Sequence, residues 1–136
     1  MGNNSLIVLD THTWIWWLTA PEFLSKKAFD AIAYEAEENG IAISSVSVCE
    51  LTMLVNKGRL TLATGAPEFI RLTEALAFVQ FVPVDNQIFL TALALPDYAA
   101  KDPADRIIIA TANSLSAPLI TKDEHIRKYK HTRAVW

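Results

Sequence analysis

The residues Leu6-Ile-Val-Leu-Asp-Thr-His12 define the first strand and the start of the first helix. Their four leading apolar residues are too few for a helix and are typical of a short strand that is buried on both faces. Directly afterwards, Trp14, Trp17 and Leu18 repeat at the spacing of one helical face, which predicts a helix over residues 11–19. A buried strand that runs straight into a helix is typical of an α/β chain.

The rest of the chain continues this alternation of strands and helices. Further strands are predicted at residues 41–44, 81–84, 119–121 and 133–136. Helices are predicted between them at 25–39, 46–57, 67–78 and 85–95, with two more that begin at 102 and 123. Apolar strands that alternate with helices predict a mostly parallel sheet covered on both faces, with its ligand site beyond the carboxyl ends of the strands.

The length and composition predict a single domain over residues 1–136. With 136 residues, of which 51% are hydrophobic and 20% charged, the chain has enough apolar surface for a core, which excludes a disordered protein. Its one cysteine excludes an internal disulfide and a cysteine-based zinc site. Because residues 1–5 lack the basic start of a signal peptide and the apolar runs are too short to span a membrane, we expect a cytoplasmic protein without a membrane partner.

The net charge of −3 argues against a general nucleic-acid binder. The charge is unevenly spread, because residues 122–136 hold five basic and two acidic side chains, a local charge of +3. This basic end of the chain predicts either a contact with phosphates or a solvated terminal helix.

Four acidic residues lie where a parallel sheet would place its ligand site. Asp10 follows the first strand, and Asp123 follows the strand at 119–121. Asp105 lies in the first turn of the helix before that strand, and Glu50 lies in the helix after the second strand. The three aspartates also have structural explanations, because Asp10 and Asp123 can cap helices and Asp105 can stabilise a helix N-terminus.

Glu50 has no such structural explanation. Its neighbours at helical spacing include Val46, Met53 and Leu54, so its side chain leaves from an apolar face of the helix. No lysine or arginine stands three or four residues away to pair with it. Because an unpaired buried carboxylate is costly, the sequence predicts a partner for Glu50 from elsewhere in the fold.

Convergence of these four carboxylates would require a compensating positive charge. Like charges about 4 Å apart repel by roughly 4 kcal/mol per pair at an effective dielectric constant of about 20. A set of oxygen ligands without cysteine or histidine at ligand spacing favours a hard divalent ion, Mg²⁺ or Mn²⁺. Such ions bind phosphate oxygens and activate water, so the predicted chemistry is hydrolysis of a phosphodiester.

Four segments resemble, in order and spacing, the motifs of PIN-domain ribonucleases, and in particular those of the toxins in VapBC-type toxin–antitoxin pairs. They are Leu9-Asp10-Thr11-His12, Ser47-Val48-Cys49-Glu50-Leu51, Asp102-Pro103-Ala104-Asp105-Arg106 and Thr121-Lys122-Asp123. The resemblance covers nearly the whole chain from Leu6 onward. It implies a PIN-like α/β fold of three layers, in which helices cover both faces of a parallel five-stranded sheet of order 3-2-1-4-5.

The same resemblance implies an activity, a cofactor and partners. It implies a metal-dependent endoribonuclease that uses Mg²⁺ or Mn²⁺ and is the toxin of a type II toxin–antitoxin pair. Its expected partners are an RNA substrate, a small antitoxin protein and a second copy of the chain in a homodimer. By this resemblance the catalytic and metal-binding residues are Asp10, Glu50, Asp105 and Asp123. Supporting or substrate-binding roles fall to Thr121, Arg106 and Thr11.

Four nearby residues have two interpretations each. Asp102 is explained by a helix cap, with metal binding as the alternative. Arg106 either binds a substrate phosphate or pairs with one of the four acids. His12 either makes a local hydrogen bond at the helix start or takes part in the site. Trp16, on a different face from the two tryptophans predicted in the core, is expected to cover a dimer surface or an antitoxin surface.

Two other functions fit the acidic residues less well. A receiver-like signalling domain also places acids at strand ends and uses a lysine such as Lys122, but it needs an adjacent acidic pair, whereas Asp10 is followed by Thr11. A catalytically silent binding module would keep the fold and bind only a partner, and the complete set of four acids argues against it. Hydrolysis of RNA is therefore the predicted function.

Overall fold

The computed structural model describes residues 6–136, so residues 1–5 of the predicted domain, and the predicted lack of a signal peptide there, lie outside the described residues. The five strands are β1 (Ile7–Leu9), β2 (Ile41–Ser44), β3 (Val79–Val82), β4 (Leu119–Ile120) and β5 (Ala134–Val135). The α-helices are α1 (Thr11–Thr19), α2 (Lys26–Glu37), α3 (Val46–Asn56), α4 (Ala66–Glu74), α5 (Asn86–Leu93), α6 (Pro103–Ser114) and α7 (Glu124–Arg127). Within this part of the chain, no helix combines the length and apolar character needed to cross a membrane.

All neighbouring strands pair in parallel, in the order β3-β2-β1-β4-β5. This confirms the predicted sheet order of 3-2-1-4-5. β1 is the central strand, with Val8 opposite Ala42 of β2 on one side and Leu119 of β4 on the other. The carboxyl end of β1 therefore lies in the middle of the sheet edge, where Asp10 begins the turn into α1.

The strands are buried on both faces, and alternate residues enter two separate core layers. On one face Ile7 and Leu9 pack with Trp14 of α1, Ile32 of α2 and Leu51 of α3. On the other face Val8 and Ala42 pack with residues of α6 and α7, namely Ile108, Ile109, Ala112 and Ile126. The three consecutive isoleucines of α6 are all buried, because α5 covers the side of this helix that the sheet leaves open.

Polar side chains fix where the helices begin. Each of the predicted cap residues accepts a hydrogen bond from a backbone N–H in the first turn of its helix, and these residues are Asp10, Ser25, Asp85, Asp102 and Asp123. Three of these caps, Asp10, Asp102 and Asp123, lie at the carboxyl edge of the sheet or next to it. The capping pattern thus places carboxylates at the same edge that the strand order makes available for a ligand.

Several predicted boundaries differ from the structure by one to four residues, and those of β3 and α4 differ because of the sheet. β3 lies at Val79–Val82, two residues before the predicted strand at 81–84, and it ends before Pro83, which has no N–H to donate to a sheet. α4 ends at Glu74 rather than near Phe78, because the carbonyl of Phe78 already accepts a hydrogen bond from the backbone N–H of Ile41 in β2. Sheet pairing therefore overrides the helical pattern at the end of α4.

Candidate active site

A cavity of about 480 Å³ opens at the carboxyl edge of the sheet, beyond β1 and β4. All four acidic residues that the sequence singles out lie in its wall. The lining residues are Asp10, Thr11, His12, Trp16, Glu50, Asp102, Asp105, Ile108, Lys122 and Asp123. The fold thus brings together carboxylates from four helix starts or helix faces that are far apart in sequence.

Asp10 lies at the junction of β1 and α1. Its Oδ1 accepts a hydrogen bond from the backbone N–H of Thr13 at 2.9 Å, which caps α1. Its Oδ2 accepts a second hydrogen bond from the hydroxyl of Thr121 at the end of β4. Burial raises the pKa of Asp10, and these hydrogen bonds oppose the rise. Asp10 is therefore a helix cap and a wall of the cavity at once.

Glu50 is met by a hydroxyl group rather than by a cation. Its Oε1 accepts a hydrogen bond from the Thr11 hydroxyl, and the Thr11 oxygen lies 2.8 Å from Oγ of Ser47. Burial raises the pKa of Glu50, and the hydrogen bond from Thr11 partly opposes this. The prediction of a partner from elsewhere in the fold is confirmed. The face from which Glu50 leaves is apolar as predicted, but it is not buried throughout, because Met53 is 47% exposed.

Asp105 shows most clearly that the acids act on one another. It lies in the first turn of α6, and burial raises its pKa to about 7 together with the negative charges of nearby carboxylates. Those carboxylates, in decreasing order of effect, belong to Asp102, Asp123, Glu50 and Asp10. The free carboxyl groups of this cavity therefore repel one another, as the sequence predicts for convergent acids.

Asp123, Asp102 and His12 also line the cavity. Asp123 caps α7 by accepting a hydrogen bond at 3.0 Å from the backbone N–H of Ile126, and its own N–H donates to Oγ1 of Thr121. Asp102 caps α6 through the backbone N–H of Ala104 at 3.0 Å and also lines the cavity. His12 lines the cavity as well. Both interpretations of Asp102 therefore remain compatible with its position.

Comparison with known proteins places the chain in a family. The family model of the PIN domain matches residues 7–131, which include the whole cavity wall. This chain belongs to the PIN-domain family. A curated relative, Ribonuclease VapC22 of Mycobacterium tuberculosis, is 36% identical over 129 residues, which cover 95% of each protein.

Solved structures share this PIN fold at lower sequence identity. VapBC2 of Rickettsia felis, bound to a promoter DNA fragment, matches with a TM-score of 0.72 and 16% identity, over 96% of this chain and 98% of that one. A toxin–antitoxin complex from Klebsiella pneumoniae matches with a TM-score of 0.64 and 22% identity, over 96% of both chains. These two likenesses confirm the fold.

The donor groups of this PIN domain suit a divalent metal ion, on which PIN-domain nucleases of the VapC type generally depend. Five carboxylates and one threonine are among the ten lining residues, and the two ion pairs of residues 6–136 lie on the exposed surface elsewhere. Within those residues no group of three or more histidine, cysteine, aspartate or glutamate side chains is arranged so that it could hold a metal ion by itself. Mg²⁺ does not need one, because it usually binds one or two carboxylates and keeps several waters. The residues therefore fit such an ion.

Arg106 forms hydrogen bonds to the backbone instead of an ion pair with one of the four acids, while the predicted contact with a substrate phosphate stays a prediction. Its guanidinium donates to the backbone carbonyls of Ala100 at 3.1 Å, Ala92 at 3.2 Å and Tyr98 at 2.7 Å. It does not line the cavity, and in the described part of the chain it forms no ion pair with the four acids. The prediction that Arg106 pairs with an acid is therefore wrong: with three of its five N–H groups the side chain ties the end of α5 and the following loop to α6.

The structure also places Lys122 and Trp16 in the wall of the cavity. Lys122 is the one lysine or arginine among the lining residues. In the sequence it stood out through the Thr121-Lys122-Asp123 motif, through the basic end of the chain and as the lysine of the receiver-like alternative. The expectation that Trp16 covers a dimer surface or an antitoxin surface stays a prediction.

Replacement of Arg106 by alanine is expected to lower the free energy of unfolding by about 2–4 kcal/mol, because three backbone carbonyls lose a charged donor. The measurement is urea denaturation of both proteins, followed by circular dichroism. Arg127→Ala, on the exposed side of α7, is the matched control and should leave stability unchanged. Equal stability of Arg106→Ala and the wild type would contradict the structural role of Arg106.

Proposed function

We propose that this chain is a metal-dependent endoribonuclease and the toxin of a type II toxin–antitoxin pair, with residues 1–136 forming one nuclease domain. The observation that carries the proposal is the meeting of Asp10, Glu50, Asp105 and Asp123 in one cavity, with the pKa of Asp105 raised to about 7. Such a cluster is unfavourable by itself and becomes favourable once a divalent cation enters it. The 36% identity to a ribonuclease over 95% of the chain supports RNA as the substrate.

The proposed reaction is hydrolysis of one phosphodiester bond by water. A bound Mg²⁺ or Mn²⁺ would polarise that water and offset negative charge on the phosphate. Asp10, Asp105, Asp123 and Glu50 would hold the ion, one or two of them by direct bonds and the others through its waters. The Thr121 hydroxyl and the N–H of Thr13 fix the orientation of Asp10, while Thr11 fixes Glu50.

A proton must leave the attacking water as the new P–O bond forms, and another must reach the leaving oxygen as the old bond breaks. Carboxylates with raised pKa values accept a proton at neutral pH better than ordinary ones. Glu50 lies in the wall of the cavity and would take the proton of the water. The hydrogen bond from Thr11 leaves its second oxygen, Oε2, without a bond to that hydroxyl.

The competing functions predict other features. A receiver-like domain would need an acid beside Asp10, and Thr11 instead has a buried hydroxyl bonded to Glu50. Membership of the PIN-domain family also argues against a receiver-like domain. A catalytically silent module would keep the fold but would not cleave RNA, so an assay of RNA cleavage distinguishes it from a nuclease.

The proposal includes two protein partners and a cytoplasmic location. An antitoxin could block the cavity with an arginine, whose forked guanidinium pairs with two carboxylates at once. The Klebsiella pneumoniae relative in fold is described as a toxin–antitoxin complex, which supports such a partner. A homodimer is supported by three large apolar side chains on α5, since Phe89, Leu90 and Leu93 are 47%, 66% and 73% exposed.

Cleavage of RNA by the purified chain is expected to stop in EDTA and to resume with Mg²⁺ or Mn²⁺. The measurement is the appearance of fragments from total cellular RNA, with their ends mapped by sequencing. The physical reason is that the carboxylates of the cavity hold the ion that activates water. Undiminished cleavage in EDTA would break the proposed link between these acids and the chemistry.

Glu50→Gln provides the residue-specific version of this experiment. Its turnover should fall by at least about 10- to 100-fold, as when the surroundings of a metal site are altered. Its free energy of unfolding should stay equal or rise, because one charge leaves a repelling group. Glu124→Gln, exposed on α7 and outside the cavity wall, is the control for charge. Loss of folding in Glu50→Gln with unchanged activity per folded molecule would make Glu50 a structural residue.

Expression of the wild-type chain alone is expected to slow bacterial growth, because free ribonuclease would degrade cellular RNA. Asp10→Asn, which removes a charge of the cavity, should not slow growth at the same protein level. Co-expression of the small protein encoded alongside should restore growth and co-purify with the chain. Harmless accumulation of folded wild-type protein without that partner would contradict a toxin and favour a silent binding module.

A further inference from the structure

Trp16 and Lys122 form a second kind of surface in the wall of the acidic cavity. Trp16 is half-buried on α1, and Lys122 is exposed directly after β4. The ammonium of Lys122 lies over the Trp16 ring, 5.8 Å from its centroid. An indole and a cation thus lie side by side in a cavity whose other charged groups are carboxylates.

Three aromatic rings contact Trp16 at tilted angles and do not stack on it. His12, Phe23 and Trp136 approach with centroid distances of 5.7, 5.9 and 5.9 Å. Their planes are tilted from the indole by 50°, 58° and 58°, so these contacts are not parallel stacks. None of these three rings lies parallel on a face of Trp16, whereas the flexible side chain of Lys122 lies over one of its faces.

We propose that this face of Trp16 stacks on a base of single-stranded RNA, and that Lys122 then moves from the indole to a phosphate of the same strand. The inference rests on the proposed ribonuclease function and names the form of its substrate. An aromatic face is suited to an unpaired base, because a base within a duplex is already stacked on its neighbours.

Replacing Lys122 over the indole by a stacked base is expected to be favourable, because the new contact is the stronger one. A cation–π contact at an exposed site is worth about a 2- to 5-fold change in an equilibrium. Stacking of one base on an aromatic side chain is worth about 5- to 140-fold in affinity. The released ammonium gains a phosphate as its new partner. A stacked base together with a phosphate contact therefore outweighs the lysine over the ring.

The charge of the cavity explains why such a surface is needed. Asp10, Glu50, Asp102, Asp105 and Asp123 all lie in the wall, and the phosphate backbone of RNA carries the same sign of charge. Stacking is insensitive to that repulsion, so Trp16 can hold the strand by a base while the acids remain free for a cation. Lys122 is the one lysine or arginine among the lining residues, so it can contact the phosphate backbone there.

The test uses two fluorescein-labelled ten-nucleotide probes, oligoadenylate RNA and a strand of the same phosphates without bases. Binding is measured by fluorescence anisotropy on the full chain in EDTA, so that the RNA stays intact. The chain should bind oligoadenylate about 5- to 140-fold more tightly than the abasic strand. Trp16→Leu should remove this preference and leave abasic binding unchanged.

Two further variants separate stacking from charge and from packing. Lys122→Gln should weaken both probes alike and reduce the slope of log affinity against log salt by about 0.7. Phe23→Leu is the matched control, because Phe23 touches Trp16 but is 60% exposed and outside the cavity wall, and it should keep the preference for bases. Trp16→Met, which keeps a long apolar side chain, replaces Trp16→Leu if circular dichroism shows that the latter is unfolded.

A preference for bases that persists in the folded Trp16 variant overturns the stacking proposal. If the wild type also cleaves RNA in that case, the proposed function stands and only the role of Trp16 is wrong. A wild type that neither cleaves RNA nor prefers base-bearing probes overturns both proposals. A preference that is lost with Trp16→Leu and kept with Phe23→Leu supports the stacked base.

Discussion

Five carboxylates line one cavity at the carboxyl edge of the sheet, and their negative charges repel one another. The neighbouring side chains must therefore fix these carboxylates without neutralising them. Burial and neighbouring negative charges raise the pKa of Asp105 to about 7, and burial also raises the pKa values of Asp10 and Glu50. An arginine in the cavity would relieve this repulsion permanently and would remove the attraction for a metal ion. The four acids are instead left without a lysine or arginine ion pair in the described part of the chain, and Arg106 is held away by backbone carbonyls.

Two of the buried carboxylates accept hydrogen bonds from neutral threonine hydroxyls instead of pairing with a cation. Thr121 and Thr11 donate to the carboxylates of Asp10 and Glu50, and Thr13 donates to the carbonyl of Ile120 at 3.0 Å. All three threonines are buried, so each hydroxyl ties α1 or β4 to the site without adding charge. Hydrogen bonds of this kind fix the orientation of a carboxylate and leave its negative charge available to a divalent ion.

The fold and the acids were predictable because they depend on local signals. Apolar strands, cap residues and the position after each strand indicated a parallel α/β sheet, the helix starts and the three aspartates, while Glu50 was indicated by its apolar neighbours in the helix. The order of the strands was implied by the resemblance to PIN-domain ribonucleases. Non-local contacts were not predictable in this way: β3 is shifted by its pairing with β2, and Arg106 meets carbonyls of a loop that has no regular pattern. The places of Trp16 and Lys122 in the cavity also depend on how α1 and the end of β4 meet, which no single segment of sequence encodes.

The most direct test of the central claim is an anomalous difference map from crystals of the full chain soaked in MnCl₂. The account predicts a manganese peak inside the cavity lined by Asp10, Glu50, Asp105 and Asp123, and its loss in Asp10→Asn crystals soaked in the same way. An empty cavity in crystals of a protein that cleaves RNA with Mn²⁺ in solution, or a peak that persists in Asp10→Asn, would contradict the claim that these carboxylates form the metal site.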